Sequence, residues 1–245
     1  MQSLSCIHHG DTSVYYLPDV CEQLSLPKPE THWFDSSTLP IDFEITGQAE
    51  GRGTTWFIEY QGIGLVLRKY RRGGLIAKLS VDQFLYLSAS LTRPVKELML
   101  LAQMQRWHLP APTPIAGLIK RQGLTWQGDL ITQRIDGATD VHNLLQAREL
   151  SPMEWRHIGA TIKRFHHHQV FHHDLNIHNI MLDTEGQAWL IDFDKCKIRR
   201  GQGWKKQNLA RLMRSLTKEQ NKHAHYHFKS QDWQALLGGY NSHTQ

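Results

Sequence analysis

The chain is poor in everything that marks a membrane-spanning or exported protein. None of its apolar runs approaches the roughly 20 residues that a spanning helix needs, and the longest, such as LMLLA at Leu98 to Ala102, are the size of core-helix fragments. The opening MQSLSCIHHGD lacks the basic and apolar regions of a secretory signal, so export is not expected. Cysteine is scarce: Cys6, Cys21 and Cys196 lie far apart and form no CxxC pair. That argues against a disulfide framework or a zinc ribbon and suits a reducing cytosol. Hydrophobic residues make up 40% and charged residues 21% of the 245, so disorder is not indicated and a substantial core can be buried, as one domain or as two lobes.

Acidic residues are the minority charge, 23 against 28 Lys and Arg, and the formal net charge is +5. Such a balance points toward anionic partners. The basic residues gather in RKYRR, Arg68 to Arg72, and again after Asp194, in Lys195, Lys197, Arg199, Arg200, Lys205, Lys206, Arg211 and Arg214. Either cluster by itself could be no more than a solvated face.

Up to about Pro40 the Pro- and Ser-punctuated chain reads as loop with short elements. Beyond it, Thr54 to Tyr60 and Gly64 to Tyr70 are β-rich runs separated by QGIG, the pattern of a hairpin. Apolar residues recur at helical spacing over Val81 to Ser90 and Pro94 to Trp107, with Thr92 a plausible cap for the second helix. HLPAPTPIA then stops the helix, and GLIKRQGLTWQGDLITQRID reads as an antiparallel pair followed by a short helix in TDVHNLLQAREL. Ser151, Pro152 and Glu154 form a capping box for a helix with Trp155, Ile158, Ile162 and Phe165 on one stripe.

That helix leads into FHHHQVFHHDLNIHNIMLD, which holds six of the 16 histidines. A hairpin with the turn DTEG follows, ending in WLIDFD. A metal reading would pair His168 with His172, four residues apart if the helix continued, but a zinc site wants four N or S ligands and no second pair is near. Each residue alone could be a helix-end histidine or a satisfied turn; their joint order tells against that.

The order resembles the protein-kinase set H-R-D-L-x-x-x-N followed by D-F-G, matched at His172, Asp174, Leu175 and Asn179 and by DFD at Asp192 to Asp194. The resemblance implies Asp174 as the catalytic base for the attacking hydroxyl, with Asn179 and Asp192 holding Mg2+ on the phosphates of ATP. Upstream, Gly51 and Gly53 stand where a glycine-rich loop would cover those phosphates, although the third glycine of that pattern is Trp56 here. Arg68 and Lys69 are both candidates for the phosphate-binding basic residue, point to opposite faces of the strand, and remain undecided. Glu97 is the candidate helix glutamate that would pair with it.

The stretch after Asp194 is short and holds no A-P-E tripeptide, which favours a small-molecule or glycan hydroxyl over a peptide acceptor. Together GRGTT, LRKYRRGGLIAKL, LPAPTPIA, HHDLNIHNIML and WLIDFDKCKIR resemble the bacterial lipopolysaccharide kinase family, in particular its members acting on 3-deoxy-D-manno-octulosonic acid (Kdo). The resemblance implies an α+β, protein-kinase-like two-lobed fold. An antiparallel-sheet N-terminal lobe would span 1–133, its first 40 residues poorly defined, and a mainly helical catalytic lobe 134–245. It further implies ATP-dependent phosphorylation of a Kdo hydroxyl on a lipid A precursor by a peripheral protein at the cytoplasmic face of the bacterial inner membrane. The acceptor's carboxylate and phosphates, and the anionic membrane surface, suit the basic clusters. Neither nucleic acid nor an obligate protein partner is implied. The rivals are a kinase of a core heptose or of a small alcohol, and a catalytically silent binding module.

Overall fold

The structure, a computed structural model, describes residues 3–50, 54–70, 84, 85, 88, 89 and 92–242. Its contacts divide the chain into two units, Met1–Ala102 with Thr113–Arg134, and Gln103–Pro112 with Ile135–Gln245.

The first unit is built on one antiparallel sheet. Among the described residues its strands are β1 (Ser5–His9), β2 (Thr12–Tyr16), β3 (Phe43–Glu50), β4 (Thr54–Tyr60), β5 (Ile63–Lys69), β6 (Phe84–Leu85), β7 (Pro114–Gln122) and β8 (Thr125–Gln133). They run in the order β1-β2-β7-β8-β5-β4-β3, with β6 alongside β8. The β4–β5 hairpin pairs Tyr60 with Ile63, a tighter connection than the QGIG spacer suggests. Alternation along β5 buries Leu65 and Leu67 on one face and puts Val66 and Arg68 on the other.

The buried face is covered by the segment that reads from sequence as loop with short elements. The β1–β2 hairpin pairs with β7, α1 (Pro18–Gln23) follows, and a 3-10 turn at Thr31–Phe34 buries Trp33 and Phe34 against Ile58, Leu65 and Leu67. These elements are too short to announce themselves locally and owe their form to packing on an existing sheet. The helix expected over 81–90 is corrected in its described part: Phe84–Leu85 is strand, paired with Trp126 and Thr125. A short apolar run fits either period, and the open edge of β8 decides it.

The next helix, α2 (Arg93–Arg106), agrees with the expectation to within a residue. Its first turn lies directly on the sheet, because β8 carries Gly128 where any Cβ would come within 2.8 Å of Pro94 Cγ and 2.5 Å of the Leu118 carbonyl oxygen. This approach brings Glu97, one turn along the helix, over β5.

The second unit contains β9 (Thr139–Asp140), α3 (Val141–Ala147), α4 (Pro152–His167), β10 (Val170–Phe171), β11 (Ile180–Leu182), β12 (Ala188–Leu190), β13 (Lys197–Ile198), α5 (Gly203–Gln220) and α6 (Ser230–Asn241). The capping box of α4 is formed as read, Ser151 and Glu154 each accepting the other's backbone N–H. Its stripe of Trp155, Ile158, Ile162 and Phe165 is buried throughout. Helices α4 and α6 meet backbone to backbone: a Cβ on Gly159 would stand 1.9 Å from the Leu236 carbonyl oxygen. The hairpin around DTEG is β11–β12, and α5 runs the full 18 residues from Gly203 to Gln220. No helix among the described residues is long and apolar enough to cross a membrane.

Candidate active site

In the first unit the site residues converge on Glu97, which is 4% exposed. A carboxylate withdrawn from water needs donors, and it has them: Arg68 Nη2 donates to Oε1 at 2.5 Å and the Tyr70 hydroxyl to Oε2 at 2.5 Å. Tyr70 also lies under the Arg93 guanidinium, 4.9 Å from its ring centre. Arg68 is thus the basic residue that β5 presents to the helix glutamate. Lys69 points to the opposite face, where its charge adds slightly to the low pKa that Ser37 hydrogen bonds give Asp35. Gly51 and Gly53 lie outside the described residues. Sequence reasoning misses Tyr70 as part of this group; its place two residues beyond Arg68, on the same face, is the available signal.

In the second unit the segment from His172 to Asn179 is held at several successive points. His172 is buried, and its Nε2–H donates to the Ile191 carbonyl at 3.0 Å. Burial lowers the imidazole pKa; the Ile191 bond and the carboxylates of Asp192 and Asp174 pull upward and are outweighed, so the ring is neutral and serves as a donor. The carbonyl of Asp174 accepts from Asn176 Nδ2 and Asn179 Nδ2, each at 3.0 Å. With its nitrogen so committed, Asn179 has its amide oxygen left as the group able to face a cation. The Asn179 carbonyl in turn accepts from Ile191 N at 3.1 Å, which ties the Asp174 loop to the residue before Asp192. Asp192 itself has φ +60, a left-handed conformation uncommon outside glycine and often found where structure holds a functional side chain in place.

Helix α5 completes this arrangement through one polar face. Asn208 donates to the His172 carbonyl at 3.0 Å, Arg211 to Asp174 Oδ1 through Nε at 3.0 Å and also through Nη2, and Ser215 Oγ accepts from Ile177 N at 3.2 Å. Spacings of three and four put all three on one side of the helix. In the sequence Arg211 counts only as one member of a basic cluster, and its pairing with Asp174 is not readable there. A polar stripe at Asn208, Arg211 and Ser215 is the signal, but only a known partner gives it meaning. The cluster's other members are exposed apart from the half-buried Lys205.

The helical metal pair is excluded by the backbone. α4 ends at His167, Gln169 turns at φ +60, and His168 stacks on Trp107 with ring centres 4.8 Å apart. His172 lies beyond this turn and does not share a helix with His168.

A family model described as "Lipopolysaccharide kinase (Kdo/WaaP) family" matches residues 41–240. A protein of Vibrio vulnificus named 3-deoxy-D-manno-octulosonic acid kinase is 44% identical over 87% of this chain and 90% of its own length. Proteins of the same name from Photobacterium profundum and Mannheimia succiniciproducens are 42% and 39% identical, over 84% and 86% of the chain and 87% and 90% of their own lengths.

Proposed function

The chain belongs to the lipopolysaccharide kinase (Kdo/WaaP) family, and from that premise we propose that it is an ATP-dependent kinase that phosphorylates a hydroxyl of Kdo on a lipid A precursor. The observation that carries the reading is the presentation of Asp174: its carbonyl is clamped by two asparagine amides, while its carboxylate lies on the partly exposed side of the loop beside Arg211.

ATP and Mg2+, when bound, supply the phosphoryl group and the neutralisation of its charge. The chain does the rest by positioning. Asp174 accepts a hydrogen bond from the acceptor hydroxyl and takes its proton as the new P–O bond forms. Asn179 and Asp192 offer the oxygen ligands that a hard cation prefers. Arg68, oriented by Glu97, binds the nucleotide phosphates. Residues 1–133 form the nucleotide-gripping lobe and 134–245 the catalytic lobe, save that Gln103–Pro112 group with the second unit and Arg134 with the first. The exposed basic residues from Lys195 to Arg214 attract the carboxylate and phosphates of the acceptor and hold the protein at the cytoplasmic face of the inner membrane, each contributing about 1 kcal/mol near an anionic surface.

The test is incubation of the purified protein with magnesium, labelled ATP and Kdo-bearing lipid A precursor, beside Asp174→Asn. Label should enter the lipid with the wild type and be lost in the variant. No transfer by folded wild-type protein would remove Kdo as the acceptor, and equal transfer by both would remove Asp174 as the base.

A further inference from the structure

A second constellation of metal-binding side chains lies in the second unit and is not used by the phosphotransfer reading. Three imidazoles crowd one buried carboxylate. Glu219, near the end of α5, is 5% exposed, with His178 Nε2 and His223 Nε2 each 3.6 Å from one of its oxygens. His142, in the first turn of α3, packs its ring 4.1 Å from that of His178 and 5.3 Å from that of His223. Ligand atoms of His142, Glu219 and His223 all lie within 4.8 Å of one another.

We propose that His142, Glu219 and His223 bind a zinc ion, with His178 completing the coordination sphere.

Zinc bonds of about 2.0–2.1 Å to N and O in a tetrahedron put neighbouring ligand atoms about 3.3 Å apart. The two Glu219–histidine separations already stand within a few tenths of that, while the group of His142, Glu219 and His223 must draw in from separations of up to 4.8 Å and His142 Nε2 must release Gln146 Nε2, now 3.0 Å away. Imidazoles with one carboxylate select a borderline metal over magnesium or calcium. An outer-shell partner is also present, since Tyr226 Oη lies 3.2 Å from His142 Nδ1, and such contacts orient ligating histidines.

The residues come from three places, α3, the turn Ile177–Asn179, and the end of α5 with the loop after it. An ion here would cross-link the loop that carries Asp174 to the far end of the helix that already clamps it. The present occupant of the carboxylate is Lys222, whose Nζ lies 2.9 and 3.2 Å from its two oxygens. Half-exposed, that ammonium can swing into water when a metal arrives, so it competes with the metal for the same ligand.

The test uses full-length, untagged protein incubated with zinc, desalted, and assayed for bound metal by mass spectrometry. About one zinc per chain should remain with the wild type and equally with Asp192→Asn, which leaves the magnesium-type ligands impaired and this cluster intact. The double variant His142→Gln/His223→Gln, checked for folding by circular dichroism, should lose that zinc. It should also lose the wild type's fall in melting temperature on adding a chelator. Lys222→Ala should tighten zinc binding by removing the competitor. The proposal is overturned if the wild type retains no zinc, if the folded double variant retains as much as the wild type, or if Lys222→Ala fails to tighten it. None of these readouts depends on kinase activity, so the proposal stands or falls apart from the acceptor assignment.

Discussion

Arg68 and Glu97 are joined at 2.5 Å across the space between β5 and α2, and Tyr70 takes the second oxygen of the same carboxylate. The pair makes Arg68, rather than its neighbour Lys69, the basic residue positioned by the helix. Arg68→Met is expected to raise KM for ATP and lower kcat/KM, while Lys69→Met leaves both close to wild type. Because Glu97 is nearly fully buried and would lose a charged donor, Arg68→Met should also cost about 1–3 kcal/mol of stability, read by urea unfolding. Equal kinetic effects at the two positions would show that the Arg68–Glu97 pair does not mark the phosphate-binding side.

Asp174→Asn is expected to lower kcat by about 10²–10⁴-fold, the usual worth of a positioned general base, with little change in KM for ATP. Its melting temperature should move little. The carboxylate is partly exposed, its pairing with Arg211 is of the solvent-screened kind that contributes only about 0–1 kcal/mol, and the asparagine oxygen can still accept from the guanidinium. A variant equally slow but grossly unstable would assign the residue a structural role instead.

Where structure is set by neighbours in the chain, it is legible from the sequence. The Ser151–Glu154 capping box, the β4–β5 hairpin and the DTEG turn each carry their cause within a few residues. The order of Asp174, Asn179 and Asp192 points to one loop and the strand end beside it, and Asn179 and Ile191 are bonded there. What the sequence hides depends on distant partners. The choice between Arg68 and Lys69 is a question of which sheet face α2 covers, and Gly128, sixty residues further along, lets the helix come down on that face. Arg211 finds Asp174 across 37 positions. The N-terminal hairpin and β6 are short strands that exist because β7 and β8 offer them edges.

The contact between α4 and α6 gives a test of packing independent of function. Gly159→Ala would drive a methyl group into the Leu236 carbonyl, and Gly239→Ala into that of Arg156 at 2.0 Å. Backbone cannot rotate away, so the helices must separate, costing about 3 kcal/mol or more. Gly238→Ala is the control. Its Cβ would meet nothing within 4 Å, and within a helix that change should stabilise by about 0.4–1 kcal/mol. Opposite signs at positions 238 and 239, measured by urea unfolding, are the expected result.

His166 sets a pH dependence of stability whose sign follows from burial. Desolvation pushes its pKa down from 6.5 to about 4, partly opposed by Asn208 and reinforced by Lys205, while its Nδ1 is hydrogen-bonded to the Tyr240 hydroxyl at 2.8 Å. Between those two values the unfolded chain binds a proton at this site and the folded protein does not. Stability is therefore fully present above about pH 6.5, falls as the pH drops toward 4, and levels off below, for a total of up to about 3 kcal/mol. His142, His168 and His172 are lowered as well and add to the same trend, so the wild-type curve alone does not isolate His166. His166→Gln keeps a hydrogen-bonding group beside Tyr240 and cannot titrate. Urea unfolding of both proteins from pH 7.5 to 4.5 should show the wild type losing its advantage steadily below pH 6.5, and a constant difference across that range would mean that His166 is protonated as readily in the folded protein as in the unfolded chain.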